Sequence, residues 1–143
     1  MTNGFNRESS FGWLIAVLSN YGTKVLDAEL NKHGLTIALW PTMMCLWEEE
    51  GVTQTTLAEK AKVRNSTTTR TLDKLEALGL VERRADPNSR RSFLVFLTDE
   101  GRAMKELVLP IPARLNKEFL GNLSEEESAE LIRLLQKLVK AAH

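Results

Sequence analysis

The stretch 63–97, VRNSTTTRTLDKLEALGLVERRADPNSRRSFLVFL, changes its hydrophobic period half-way along. From Asn65 or Ser66 to Leu78, the apolar residues Leu72, Leu75 and Leu78 recur at three-residue spacing, as on a helix with one buried face. Gly79 follows, where a left-handed helix stop is expected. Beyond it, residues 80–84 and 92–97 read as strands, with Asp86-Pro87-Asn88-Ser89 as the turn. A shorter helix, residues 55–61 with Leu57, Ala58 and Ala61 inward, comes just before, across the polar break 62–64. Two helices joined by a three- or four-residue turn form a helix-turn-helix. A hairpin directly after the second helix makes it a winged one.

The remaining pattern is helical. Leu14, Leu18, Tyr21 and Val25 predict an amphipathic helix over 11–33, with Gly34 as its stop. Thr36 is placed to cap a second helix running to about Glu50, with Pro41 just past the first turn, where it removes a backbone bond. Thr98, followed by Asp99 and Glu100, starts a helix after the hairpin. Pro110 and Pro112 interrupt it, with a kinked continuation to Leu120. Ser124-Glu125-Glu126-Glu127 is a capping box for a last helix carrying Leu131, Leu134, Leu135 and Leu138. The fold expected is mainly α: an α+β winged helix-turn-helix of six helices with a two- to three-stranded wing. Residues 35–104 form the winged part, and residues 10–34 and 105–141 form a helical dimerisation region.

The 143 residues carry no net charge, but the charge is unevenly placed. Residues 59–91 hold nine Lys/Arg against five Asp/Glu, whereas residues 1–58 hold three against six. Phosphate binding follows local potential rather than the sum over the chain. The N-terminal half of the second helix of the motif, Asn65, Ser66, Thr67, Thr68, Thr69 and Arg70, would lie in a major groove. Arginine there can bond guanine O6 and N7, and the hydroxyls can meet base edges or phosphates. A Ser/Thr-rich start also reads as a plain cap, yet β-branched threonines are mediocre helix formers, so capping alone is a poor reason for them. Lys74, one turn on, is placed for phosphates. Arg90 and Arg91 sit just past the hairpin turn, where an arginine can enter a minor groove, and Arg83 and Arg84 on the other strand could meet the backbone. Charged residues on a hairpin are equally a defence against edge aggregation. The expected partner is double-stranded DNA, contacted by Asn65, Ser66, Thr67, Thr69, Arg70, Lys74, Arg90 and Arg91.

The residues Leu57-Ala58-Glu59, Thr69-Arg70-Thr71-Leu72-Asp73-Lys74-Leu75-Glu76, Gly79-Leu80-Val81-Glu82-Arg83, Asp86-Pro87, Arg90-Arg91 and Leu97-Thr98-Asp99-Glu100-Gly101-Arg102 together resemble the MarR family. The TRTLDKLE stretch is most similar to its SlyA-like branch. The resemblance covers about residues 35–104 by motif and the rest by helical layout. It implies a dimeric winged-helix repressor or activator on a pseudo-palindromic operator, of a kind that in many members releases DNA on binding a small aromatic anion. It places reading-helix contacts on Ser66, Thr67, Thr69 and Arg70, and the wing arginine on Arg90. This chain departs from the pattern at Ser89, where the family often has an Asp that orients the arginine. It departs again at Thr68, usually a branched apolar residue, which predicts looser packing under the reading helix.

The helices at both ends carry more apolar surface than one small lobe needs. Leu14, Leu18, Leu107, Val108, Leu131, Leu134, Leu135 and Leu138 are therefore expected to form the shared core of a homodimer. Trp13, Trp40, Met43, Met44 and Trp47 could line a pocket for a flat aromatic effector, although such a stripe at helical spacing equally describes a core. Enzymatic function is not expected. His33 and His143 stand alone, no cluster has metal-ligand spacing, and the single cysteine, Cys45, lies on an apolar helix face. No cofactor is implied. No apolar run approaches the roughly 20 residues of a membrane span, no secretory leader is visible, and a cytoplasmic location is the default. The competing reading is a winged helix that mediates protein contacts without DNA.

Overall fold

The computed structural model describes residues 4–142. The chain divides after Pro110 into two compact units. The first holds a 3-10 turn at Arg7–Ser9, then α1 (Phe11–Asn31), α2 (Trp40–Glu48), β1 (Val52–Thr53), α3 (Gln54–Ala61), α4 (Asn65–Ala77), β2 (Val81–Asp86), β3 (Ser89–Leu97) and α5 (Asp99–Val108). The second carries α6 (Pro110–Leu120) and α7 (Glu125–Ala142). A single residue, Leu109, separates α5 from α6 in the chain. Taken as one broken helix, they bring the described helices to the six expected.

Local chemistry explains most boundaries. Gly34 takes φ +79° beyond α1, and the Leu35 amide closes back on the Leu30 carbonyl. The helix expected from Thr36 is split: a 3-10 turn, Ile37–Leu39, comes first, and α2 starts at Trp40. Pro41 thus falls in the opening turn of α2, where no N–H is required. The Asp27 carboxylate accepts from the Ile37 amide at 2.8 Å and caps that turn. Between α3 and α4 the bend is made by Lys62, a non-glycine residue at φ +60°, whose amide donates to the carbonyls of Ala58 and Glu59.

The sheet is antiparallel, ordered β1-β3-β2. Val52 pairs with Val95, and Val81, Arg83 and Ala85 pair with Leu97, Val95 and Phe93. The short β1 makes the wing three-stranded. Leu30, Leu35, Met43, Leu46, Leu57, Leu72, Leu75, Val95 and Val108 are sealed in the core of the first unit. In that unit α3 packs on α2 and α4, and α4 on β2. Val108 therefore belongs to this chain's own core rather than to surface left for a partner copy. Leu78, expected inward, is 49% exposed. The helix has ended by then, with Leu78 as its C-cap, and the inward row is Thr68, Thr71, Leu72 and Leu75.

Candidate nucleic-acid interface

α4 has two distinct faces. Thr68, Thr71, Leu72 and Leu75 are buried, while Asn65, Ser66, Thr67, Thr69, Arg70 and Lys74 are exposed. Thr68 answers the question of packing beneath the helix. It is fully buried, and its hydroxyl donates to the Arg64 carbonyl one turn back at 3.1 Å. The group that differs from a branched aliphatic residue is therefore satisfied inside the helix, and the methyl fills the core. Thr69 does the same toward the Asn65 carbonyl, also at 3.1 Å.

The wing is longer than the sequence pattern indicates, because β3 begins at Ser89 rather than Ser92. Its register breaks near the tip: Ala85 pairs with Phe93, but Asp86 pairs with Ser89. Arg90, Arg91 and Ser92 thus oppose a single step of β2, as in a bulge that re-aims side chains away from the ladder. At the turn, the Asp86 carboxylate accepts from the Asn88 amide at 2.9 Å, and the Ser89 hydroxyl accepts from the Arg91 amide at 3.3 Å. Ser89 consequently supports the backbone of the tip.

Arg83 is not placed for a DNA backbone. Its guanidinium is half-buried and bonds Asp73 at 2.5 Å and Glu76 at 2.8 Å, which ties β2 to α4. These two hydrogen bonds hold its pKa above the ordinary arginine value. Arg84 lies 4.1 Å over the Phe96 ring and pairs with Glu82. Among the described residues, Arg70, Lys74, Arg90 and Arg91 make no ion pair. Pairing therefore engages Arg83 and Arg84, while Arg70, Lys74, Arg90 and Arg91 stay exposed, as do Lys62 and Arg64 in the turn before α4. α4 and the wing meet at one polar cleft lined by Thr53, Gln54, Thr55, Asn65, Arg91, Ser92 and Phe93. Gln54 had no signal in the sequence. It stands outside every motif, and only the fold brings it to the start of α4, where its amide donates to Asn65 Oδ1 at 3.1 Å.

The aromatic and Met group is dispersed. Met43 and Trp40 are core residues, the latter 5% exposed. Trp47 meets Trp40 edge-on at 5.7 Å, and its indole N–H donates to the Gly101 carbonyl at 2.9 Å. Met44 is half-buried, and Trp13 is exposed on α1 with the Arg7 guanidinium 4.8 Å above it. Cys45 is partly buried, and that burial, with Glu48 nearby, pushes its thiol pKa up and keeps it a poor nucleophile. Among the described residues no helix is long and apolar enough to cross a membrane.

Comparison with known proteins agrees with this geometry. The chain is 34% identical over 107 residues to the transcriptional regulator HosA of Escherichia coli O111:H-, covering 75% of this chain and 79% of that one. A mutant MarR of Escherichia coli, solved complexed with operator DNA, superposes with a TM-score of 0.85 at 30% identity over 96% of this chain and 99% of the other. The PcaV transcriptional regulator of Streptomyces coelicolor, solved with its natural ligand, gives 0.84 at 25% identity over 99% and 100%. The MarR family profile matches residues 35–93, the span from the start of α2's lead-in turn to the middle of β3. The chain belongs to the MarR family of DNA-binding transcriptional regulators.

Proposed function

We propose that the chain works as a homodimeric repressor on a pseudo-palindromic operator, with one α4 in each of two successive major grooves. In this reading Asn65, Ser66, Thr67, Thr69 and Arg70 face base edges, Lys74 meets phosphates, and Arg90 and Arg91 reach the flanking minor groove. The observation that carries it is the separation of cations: Arg70, Lys74, Arg90 and Arg91 are exposed, Arg91 lines the α4–wing cleft, and Arg83 on β2 is consumed by Asp73 and Glu76. A small aromatic ligand releases the DNA; that the similar PcaV regulator is solved with its natural ligand supports a ligand response of some kind. Trp13, Met44 and Trp47, which retain accessible surface, would contact it, with Trp40 and Met43 as backing.

Selection of bound duplexes from a random pool, followed by gel shifts across a salt series, tests the reading. Affinity should fall steeply with salt, with a slope set by the phosphates neutralised. Arg70→Ala should relax sequence preference by about 1–3 kcal/mol at one base pair. Lys74→Ala should instead weaken all sequences alike and reduce the salt slope by about one, and Arg90→Ala should lose protection of the A·T-rich flanks. An Arg70→Ala protein with intact operator preference would remove α4 as the reading helix. Absence of any salt slope would favour a protein-contact module. An aromatic carboxylate added to the same assay should release the duplex, and retention at saturating ligand would remove the effector.

A further inference from the structure

Gln54 is half-buried at the first position of α3, and its side-chain amide meets two of the residues assigned to base reading. Its Nε2 donates to Asn65 Oδ1 at 3.1 Å, lies 3.4 Å from the Asn65 carbonyl, and also donates to Thr69 Oγ1. These bonds decide what each reader has left to offer. Asn65 has its amide oxygen turned to Gln54, so the group it turns to a ligand is the Nδ2 amide, a donor. Thr69 has spent its only proton on the Asn65 carbonyl and accepts from Gln54. Its methyl is then the group most available to a base.

Adenine is read by an asparagine through two bonds at once, with the amide oxygen accepting from N6 and the amide nitrogen donating to N7. The Asn65 oxygen keeps a second lone pair, but its direction is fixed by Gln54, which disfavours the two simultaneous bonds that adenine needs. Asn65 suits an acceptor edge instead, guanine O6/N7 or thymine O4. The Thr69 methyl suits the thymine C5 methyl. We propose that Gln54 is a specificity-determining positioning residue that turns the donor end of Asn65 and the methyl of Thr69 toward the base, and so disfavours adenine opposite Asn65. This rests on the assignment of the exposed α4 face as the reading surface.

The test is selection from a random duplex pool by the full-length protein and by Gln54→Ala, Gln54→Glu, Asn65→Ala and Thr69→Ala, with affinity for an unrelated duplex and its salt slope measured in parallel. Asn65→Ala and Thr69→Ala should randomise particular operator positions. Gln54→Ala frees the Asn65 oxygen, and adenine should rise about fivefold or more at the position Asn65→Ala randomises. Gln54→Glu preserves size and helix position but presents only acceptors. It should draw the Asn65 amide nitrogen inward and turn the oxygen out, so that preference at this position moves from guanine and thymine toward the donor edges of adenine N6 or cytosine N4. A purely structural role would lower affinity for all duplexes without changing the base chosen. If the Asn65 and Thr69 variants change preference while both Gln54 variants select the parent half-site, Gln54 has no such role. If the Asn65 and Thr69 variants leave preference unchanged, the reading surface itself is misassigned, and the role of Gln54 falls with it.

Discussion

Gly101 shows how one residue can hold a junction together. Its amide donates to Thr98 Oγ1 at 3.1 Å, and that hydroxyl donates in turn to the Gly79 carbonyl at 2.6 Å. The Gly101 carbonyl accepts from the Trp47 indole. A methyl group on its Cα would stand 2.1 Å from the Leu80 carbonyl oxygen, far inside contact distance, and that obstacle is backbone. The start of α5, the end of α4 and the C-terminal half of α2 therefore meet at a point with no room for a side chain. Gly101→Ala should destabilise the fold by about 1–3 kcal/mol, the usual cost of overpacking, despite alanine's better helix propensity. Thermal unfolding checks this, and an unchanged or raised midpoint would mean the junction can open without cost. In the sequence, Gly101 belonged to a recognisable Leu-Thr-Asp-Glu-Gly-Arg run. The need for a glycine there was invisible, because Leu80 and Trp47 are distant in the chain. The same holds for Gln54 and Asn65, eleven positions apart with a turn between them.

At the scale of elements, α3, α4 and the hairpin were legible to within a few residues, since period, stop glycine and turn residues all agreed. What the sequence lacked were the links between elements. Strand β1 is two residues long and too short to leave a pattern. Arg83 reads as one more basic residue until β2 lies beside α4 and Asp73 and Glu76 come within reach. Glu50 is another link. In the loop after α2, its carboxylate accepts from the Leu97 amide at the end of β3 at 2.9 Å and from Arg102 of α5 at 2.9 and 3.0 Å. The hydrogen bond from Arg102, followed by that from the Leu97 amide, holds its pKa below the usual 4.5 against an opposing effect of burial. A carboxyl whose pKa is lower folded than unfolded contributes stability that is present above the ordinary carboxylate range. That stability is lost as pH falls through the lowered folded value. Glu50→Gln should therefore reduce stability at neutral pH and shrink the further loss on acidification. Melting curves taken from neutral to acid pH decide it. Parallel pH profiles for the two proteins would show that Glu50 makes no difference between its folded and unfolded titration.

The whole molecule poses a question that its single chain does not answer internally. Every residue from Phe11 to Tyr21 is exposed, although Phe11, Trp13, Leu14, Ile15, Val17, Leu18 and Tyr21 are apolar or aromatic. In the second unit, Leu131, Ile132, Leu134, Leu138 and Val139 of α7 are exposed as well, and Leu135 is half-covered. Leu107 at the end of α5 is 57% exposed. Scattered exposed leucines need no explanation, but apolar residues sustained along whole helices do. The proposed homodimer supplies an occupant in a second copy of the chain, which would hold two reading helices about 34–36 Å apart on one face of the duplex. Leu18→Lys combined with Leu134→Lys places a charge in each apolar stripe at positions already open to water in the single chain. The winged part, whose core contains neither residue, should keep its circular dichroism. Sedimentation should show a monomer, and operator affinity should drop by ~100-fold or more as the second half-site ceases to act at high effective concentration. A parent protein that sediments as a monomer yet binds the full operator tightly would mean that α1 and α7 serve some other contact. A double variant that remains dimeric would place the dimer seam elsewhere on the surface.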